Sequence, residues 1–138
     1  MEKPHLVAVY GSLLSGLGNH HVMQRLGSEH FELLGETKTK PEFEIYPVGG
    51  NWYPGVLENG KTAVTVEVYR VSEELLKGPL DTLEGYHENE PAERSHYLRK
   101  TIETEFGDTF IYIYNRRPTS EPIESGNWRE YLNLVNQN

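Results

Sequence analysis

Apolar residues run along this chain with two different periods, and the places where the period changes mark its elements. Leu6-Val7-Ala8-Val9-Tyr10 is continuously apolar with β-branched residues among its members, which predicts a buried strand. Gly11 is expected to end the strand by supplying a backbone freedom no other residue has, and the pattern dissolves there into a glycine-punctuated loop, Gly11-Ser12-Leu13-Leu14-Ser15-Gly16-Leu17-Gly18. Val22 and Leu26 then sit four apart, with Met23 beside them, and predict a short helix over 19–27 that Asn19 caps and Gly27 stops. Residues 31–39 read as a surface strand with a bulge at Gly35, and Phe43, Ile45 and Tyr46 as another short strand. The stretch 47–56 is a loop dense in Gly and Pro.

The clearest alternation is in 62–71, with Val64, Val66 and Val68 on one face and Thr65, Glu67 and Tyr69 on the other. Asn59-Gly60 supplies the positive φ angles of a type I′ turn, so this strand is expected to pair with residues 55–58. Ser72 followed by Glu73 and Glu74 starts a helix that Pro79 interrupts, and a second helical turn ends at Gly85. The polar segment 87–96 is expected to be the most mobile internal part of the chain and a candidate flap. Residues 97–105 and 110–114 form a hairpin through Gly107-Asp108, its second strand apolar on both faces and therefore central or barrel-forming. Trp128 anchors a short closing helix. The sum is an α+β chain: a small mixed, mostly closed β-barrel of about six or seven strands with two or three short flanking helices.

At 138 residues the chain is expected to be one domain over 1–138. Twenty-one acidic against thirteen basic residues give a net charge of −8, which repels phosphate backbones and anionic lipid and argues against nucleic acid and membrane surfaces as partners. There is no cysteine, so disulfide, thiolate-metal and Cys-nucleophile chemistry are excluded. No signal-peptide pattern or membrane-length apolar run occurs, and a cytoplasmic location is expected. Nothing in the pattern sets an oligomeric state.

Little catalytic apparatus is left. His20 and His21 point about 100° apart on a helix and make no i, i+4 metal pair. Gly16-x-Gly18 lacks the Lys of a phosphate loop, and no G-x-S-x-G elbow exists. No metal and no cofactor is expected. Two features remain. The turn from Tyr10 through Gly11, Ser12 and Leu13 exposes consecutive N–H groups that suit a carboxylate or an oxyanion, or it is simply a strand-to-helix turn. Glu84 follows Leu80 and Leu83 on an apolar helical turn; it is either a solvated helix-end carboxylate or one whose pKa burial raises into the acid–base range. Trp52 and Tyr53 either line a pocket mouth or cover the end of the core.

Taken in order, Tyr10-Gly11-Ser12-Leu13, Tyr53-Pro54-Gly55, Leu80-Asp81-x-Leu83-Glu84-Gly85-Tyr86, Tyr97-x-Arg99 and Gly126-x-Trp128 span nearly the whole chain. The set resembles the landmarks of the gamma-glutamylcyclotransferase-like superfamily. The resemblance implies a small barrel with flanking helices, no cofactor, and a small-molecule gamma-glutamyl substrate bound by Tyr10, Gly11, Ser12, Leu13 and Tyr97. Glu84 would be the acid–base in an intramolecular cyclisation that releases 5-oxoproline and a free amine. The amine's identity transfers least well, because the charged segment 87–96 is expected to shape that side. A non-catalytic protein on the same fold, binding a carboxylate or an amino-acid conjugate, is the alternative.

Overall fold

The computed structural model describes residues 4–136. Seven strands are present: β1 (His5–Val9), β2 (Phe31–Lys38), β3 (Phe43–Pro47), β4 (Pro54–Glu58), β5 (Thr65–Val71), β6 (Tyr97–Thr104) and β7 (Gly107–Tyr114). Five form one sheet in the order β2-β5-β1-β7-β6, and β3 and β4 make a separate antiparallel pair. The apolar run of β1 lies near the centre of the larger sheet, antiparallel to β5 and parallel to β7, with Ala8 opposite both Val68 and Ile111. Val7, Ala8 and Val9 are buried, as a strand covered on both faces requires.

The expected closed barrel is not found. β2 and β6 remain the edges of the sheet, because β3 and β4 pair with each other instead of bridging them. Side chains meet where hydrogen bonds do not: Phe106, at the β6–β7 turn, packs against Gly35 of β2, and Lys40 pairs with Glu103 at 3.4 Å. The bulge at Gly35 is present as a register shift between Leu33 and Gly35.

The hairpin expected across Asn59-Gly60 does not form. Asn59 has the positive φ of 68°, yet β4 pairs with β3, placing Phe43 opposite Glu58, while β5 pairs with β1 and β2. A local turn signal is thus overridden by the non-local strands that flank β5.

Ser72 caps its helix as expected, its Oγ accepting from Leu75 N at 3.1 Å. Pro79 does not interrupt the helical path, which runs through α1 (Glu73–Leu75), a π-helical turn (Leu76–Leu80) and α2 (Asp81–Glu84). Proline lacks an N–H and crowds the carbonyl four residues earlier, and the widened turn accommodates both. Gly85 ends α2 in the left-handed conformation at φ 66°. At the other end, α3 (Trp128–Val135) is capped by Asn127, which accepts from Glu130 N at 3.0 Å, and Trp128 is buried. The helix expected over 19–27 shrinks to a single 3₁₀ turn, His20–Val22, without a side-chain cap from Asn19. No helix among the described residues is long and apolar enough to cross a membrane.

Candidate active site

Because β1 and β7 run parallel, both chains leave the sheet at the same end, and their continuations diverge around a cavity of about 720 Å³. That volume suits a whole small-molecule ligand, for which pockets of roughly 300–1,000 Å³ are usual. Tyr10, Gly11, Ser12 and Leu13 line it from one side, and Glu84, Gly85 and Tyr97 also face it. Tyr10, Gly11, Ser12, Leu13, Glu84 and Tyr97 therefore border a single space.

The loop after β1 is held in place by its neighbours. Gly11 is not at positive φ, so the expected need for backbone freedom is corrected: a Cβ there would lie 2.5 Å from Cδ of Pro54. The glycine exists because β4 presses against it. Gly55, the next residue of β4, is likewise bare because a Cβ would lie 2.7 Å from the Tyr114 side chain. Leu14 N donates to Gly11 O at 2.9 Å and tightens the turn. Among the described residues, the N–H groups of Gly11, Ser12 and Leu13 have no protein acceptor, which leaves them available to a ligand.

Two side chains anchor this loop from behind. Asn19 donates from Nδ2 to Ser12 Oγ at 3.0 Å and from its backbone N to Ser12 O at 2.9 Å. Glu67, buried in β5, accepts from Ser15 N at 2.7 Å, Ser15 Oγ at 2.6 Å, Tyr69 OH at 3.0 Å and Arg129 Nη2 at 3.1 Å. Burial works to raise its pKa, but these donors outweigh burial and hold it below the usual carboxylate value.

Tyr10 and Tyr97 are buried, and their hydroxyls are already committed. Tyr10 OH donates to Tyr112 O at 2.7 Å and accepts from Val56 N at 3.3 Å; Tyr97 OH donates to Pro54 O at 2.8 Å. Both rings thus form cavity wall while their oxygens tie the large sheet to β4. Burial, before any other cause, raises both pKa values, so both remain neutral phenols.

Glu84, at the end of α2, reaches the cavity from a surround of Tyr10, Tyr97 and Tyr112. Burial, and then the charge of Asp81 three residues earlier, push its pKa up to about 8. Of its two readings from the sequence, these surroundings favour the carboxylate with a raised pKa over the solvated one, with the residue half-buried at the edge of the cavity. Asp81 itself is buried and held by Tyr112 OH at 2.7 Å and by Arg99 Nη1 at 2.6 Å. Arg99 continues to Glu88 at 2.6 Å and lies over the rings of Tyr86 and Phe110.

Composition alone expects a mobile segment at 87–96, but the chain fastens it. Ser95 is fully buried, its Oγ accepts from His87 N at 2.8 Å, and Asn115 Nδ2 donates to Ala92 O and Ser95 O. Of this segment, His96 lines the cavity. So do Asn19, Tyr112, Tyr114 and Arg116, which the sequence reading did not single out for the site. Asn19 shows a helix-cap signal that hides its tie to Ser12, and Arg116 stands in a polar stretch without any period. Tyr53 borders the cavity, whereas Trp52 is 84% exposed and does neither of the things expected of it. His20 packs against Phe31 and Tyr69 with Nδ1 3.0 Å from Leu13 O, a structural role. Among the described residues no cluster of three His, Asp or Glu side chains is placed to hold a metal ion.

The chain is similar to known proteins over most of its length. The sequence model of the family described as "Gamma-glutamyl cyclotransferase, AIG2-like" matches residues 7–130. A Vibrio cholerae protein named "Putative gamma-glutamylcyclotransferase" is 44% identical over 125 residues, covering 90% of this chain and 95% of that protein. Among solved structures, the Escherichia coli protein ytfP shares 32% identity at a TM-score of 0.65, over 91% of this chain and 97% of that one. An AIG2-like protein from Mus musculus shares 25% identity at a TM-score of 0.67, over 88% and 87%. The match spans the β1 loop, α2 and the capped start of α3, so this chain belongs to the AIG2-like gamma-glutamyl cyclotransferase family.

Proposed function

We propose that the protein is a cofactor-independent cyclotransferase that converts a gamma-glutamyl amide into 5-oxoproline and a free amine. One observation carries this reading: Glu84, its pKa pushed up to about 8, borders the same cavity as the unpartnered N–H groups of Gly11, Ser12 and Leu13.

The substrate's α-amine attacks its own γ-carbonyl carbon, closing a five-membered lactam. The bond from that carbon to the leaving nitrogen breaks, and the proton lost by the attacking nitrogen is carried to the departing one. No water is consumed. The nucleophile is tethered, so holding the chain in a bent, near-attack shape supplies much of the advantage, up to roughly 7–11 kcal/mol in well-oriented intramolecular reactions. The proton needs a group near both nitrogens with a pKa close to that of an amine, and Glu84 supplies it, for about 10²–10⁴-fold in rate. The amides of Gly11 to Leu13 take the glutamyl carboxylate or the oxyanion that develops at the γ-carbonyl. Only the ionised carboxylate can take the proton from the attacking nitrogen, and a pKa pushed up to about 8 brings the group's proton affinity toward that of an amine.

The test is a panel of gamma-glutamyl compounds incubated with the purified protein in the presence of a chelator, with 5-oxoproline measured. Release by the wild type and its loss in Glu84→Gln support the reading. A protein that binds these compounds but releases nothing would be the non-catalytic alternative.

A further inference from the structure

Resting on that cyclotransferase reading, we infer that Glu67 is a positioning residue: through Ser15 it holds the chain after β1 in the shape that presents the amides of Gly11 to Leu13 to the substrate. Glu67 is not among the residues that line the cavity. It lies in β5 opposite Val9, the last residue of β1, so its side chain stands beside the point where that chain leaves the sheet. Both carboxylate oxygens turn to the loop: Oε1 accepts from Ser15 N at 2.7 Å and Oε2 from Ser15 Oγ at 2.6 Å. Ser15 is thus gripped by main chain and side chain together, which fixes its orientation as well as its distance. Arg129, in the first turn of α3, completes the hold by donating from Nη2 to Ser15 Oγ at 3.0 Å and to Glu67 Oε2 at 3.1 Å. Tyr69, on the same face of β5, donates to Oε1 and packs its ring against His20, whose Nδ1 lies 3.0 Å from Leu13 O. At the other end of that peptide group, Leu14 N donates to Gly11 O at 2.9 Å. The peptide between Leu13 and Leu14 is therefore held from both ends, and Ser15 is the next residue.

Stability does not account for a carboxylate in this place. Taking Glu67 out of water works against folding, and a buried ion pair replaced by apolar residues of similar volume often leaves a protein as stable or more so. An apolar side chain fills the slot; only an acceptor with two oxygens holds the Ser15 N–H and hydroxyl at once. What the carboxylate contributes is orientation. The loop's own bonds, Asn19 N to Ser12 O and Leu17 N to Leu14 O, fold it upon itself, and Glu67 ties the folded loop to β5. Amides without a protein acceptor stay aimed at a ligand only if the chain that carries them is fixed elsewhere, and a loop ordered before substrate arrives forfeits little entropy on binding. Arg129 offsets the charge of Glu67, so the hold does not set a bare anion behind amides that await one.

The test measures kcat and KM for 5-oxoproline release, across pH, in the wild type, Glu67→Gln, Ser15→Ala and the double variant, with the best substrate of the gamma-glutamyl panel. Glu67→Gln keeps the volume and turns one acceptor into a donor. kcat/KM is expected to fall about tenfold or more, chiefly through KM, the scale of a lost hydrogen bond to a charged group. Ser15→Ala is expected to cost less, because its backbone N still reaches Oε1, and its effect is expected to shrink in the Glu67→Gln background, as for residues that act as one unit. The acidic limb of the profile, which Glu84 sets, is expected to stay in place, whereas a general loosening of the fold lets water reach Glu84 and moves it. An equal factor for Ser15→Ala in both backgrounds, a shifted limb, or an unchanged kcat/KM in folded Glu67→Gln overturns the inference. If Glu67→Gln does not fold, Ser15→Thr decides it: the retained hydroxyl is expected to keep KM nearer the wild-type value than Ser15→Ala does, and equal KM in all three proteins overturns the inference. Should the wild type release 5-oxoproline from no compound, the cyclotransferase reading fails, and calorimetric binding of gamma-glutamylalanine carries the same comparison. Weaker binding in Glu67→Gln or Ser15→Ala then upholds the hold on the loop; binding equal to that of the wild type, or none by the wild type, removes it.

Discussion

A carboxyl whose pKa is pushed up to about 8 leaves two marks, one on rate and one on stability. Glu84→Gln keeps the volume and removes the proton transfer, so turnover is expected to fall by about a hundredfold or more while substrate binding persists. For stability the sign follows from the proton: the folded state holds it more tightly than the unfolded chain, whose carboxyl ionises near the ordinary value of 4.5. The stability associated with Glu84 is fully present below that value and is lost as pH rises through about 8. Gln does not ionise, so urea midpoints of the variant and the wild type are expected to converge near pH 4 and to separate, in favour of the variant, at pH 9. A surface glutamate gives no such divergence. Tyr10→Phe addresses the wall and not the chemistry: it strips a buried donor from Tyr112 O and an acceptor from Val56 N. A loss of about 1 kcal/mol in unfolding free energy is expected, with more if either backbone group stays dry. The place of Glu84 beside the cavity was legible in the sequence because Leu80, fully buried, orients its turn; Leu83, expected inward as well, is exposed. That of Arg116 was not, since an arginine beside Arg117 and Pro118 reads as solvated surface, and the carbonyls that hold it arrive from residues 93–95.

Between elements, the tightest contact at the site is the one where β4 meets the end of β1. Gly11→Ala puts a methyl group where Pro54 already stands, and both neighbours are constrained, one by the proline ring and the other by the turn. The variant is expected to unfold at lower urea and to weaken substrate binding together with turnover; wild-type kinetics in a folded Gly11→Ala protein would detach the loop from function. The helix bearing Glu84 also carries its tuning charge, Asp81, one turn back and pinned by Tyr112 and Arg99. Asp81→Asn removes that charge, so Glu84 ionises more easily and the acidic limb of kcat/KM is expected to move to lower pH, whereas an unmoved limb would mean that burial alone sets the value. At this scale the sequence revealed what is local: the strand at 6–10, the bulge at Gly35, the cap at Ser72, the closing helix at Trp128, the hairpin of β6 and β7. It misplaced what is not. Asn59-Gly60 carries the chemistry of a tight turn, and Asn59 but not Gly60 takes a positive φ; which strands pair across it is decided by β1, β2 and β3, far away in the chain.

For the molecule as a whole, the apolar faces of several strands suggested a ring, and the chain builds a five-stranded sheet with a two-stranded flap of sheet laid against it. Periodicity reports that a strand is covered on both sides, without saying whether by a closing neighbour or by a second layer. Here the layer is β3 and β4, and β4 is the element that fills Gly11's missing side chain and receives the Tyr10 and Tyr97 hydroxyls. The placement of β1 has a further consequence for how the protein comes into being. During synthesis β1 emerges before either of its neighbours, and its parallel partner β7 begins at Gly107. Until then an apolar strand has one edge without a mate, the condition in which nascent chains stick to one another or to chaperones. Joining residues about a hundred positions apart also makes this a slow topology, since the chain entropy of closing so long a loop is lost before the contacts that reward it form. In refolding experiments followed by pulsed hydrogen exchange, amide protection in β1 and β7 is expected to rise together and late, after that of the β6–β7 turn. The cavity, which opens between the ends of those two strands, would then be the last part of the molecule to exist and the first to vanish under stress.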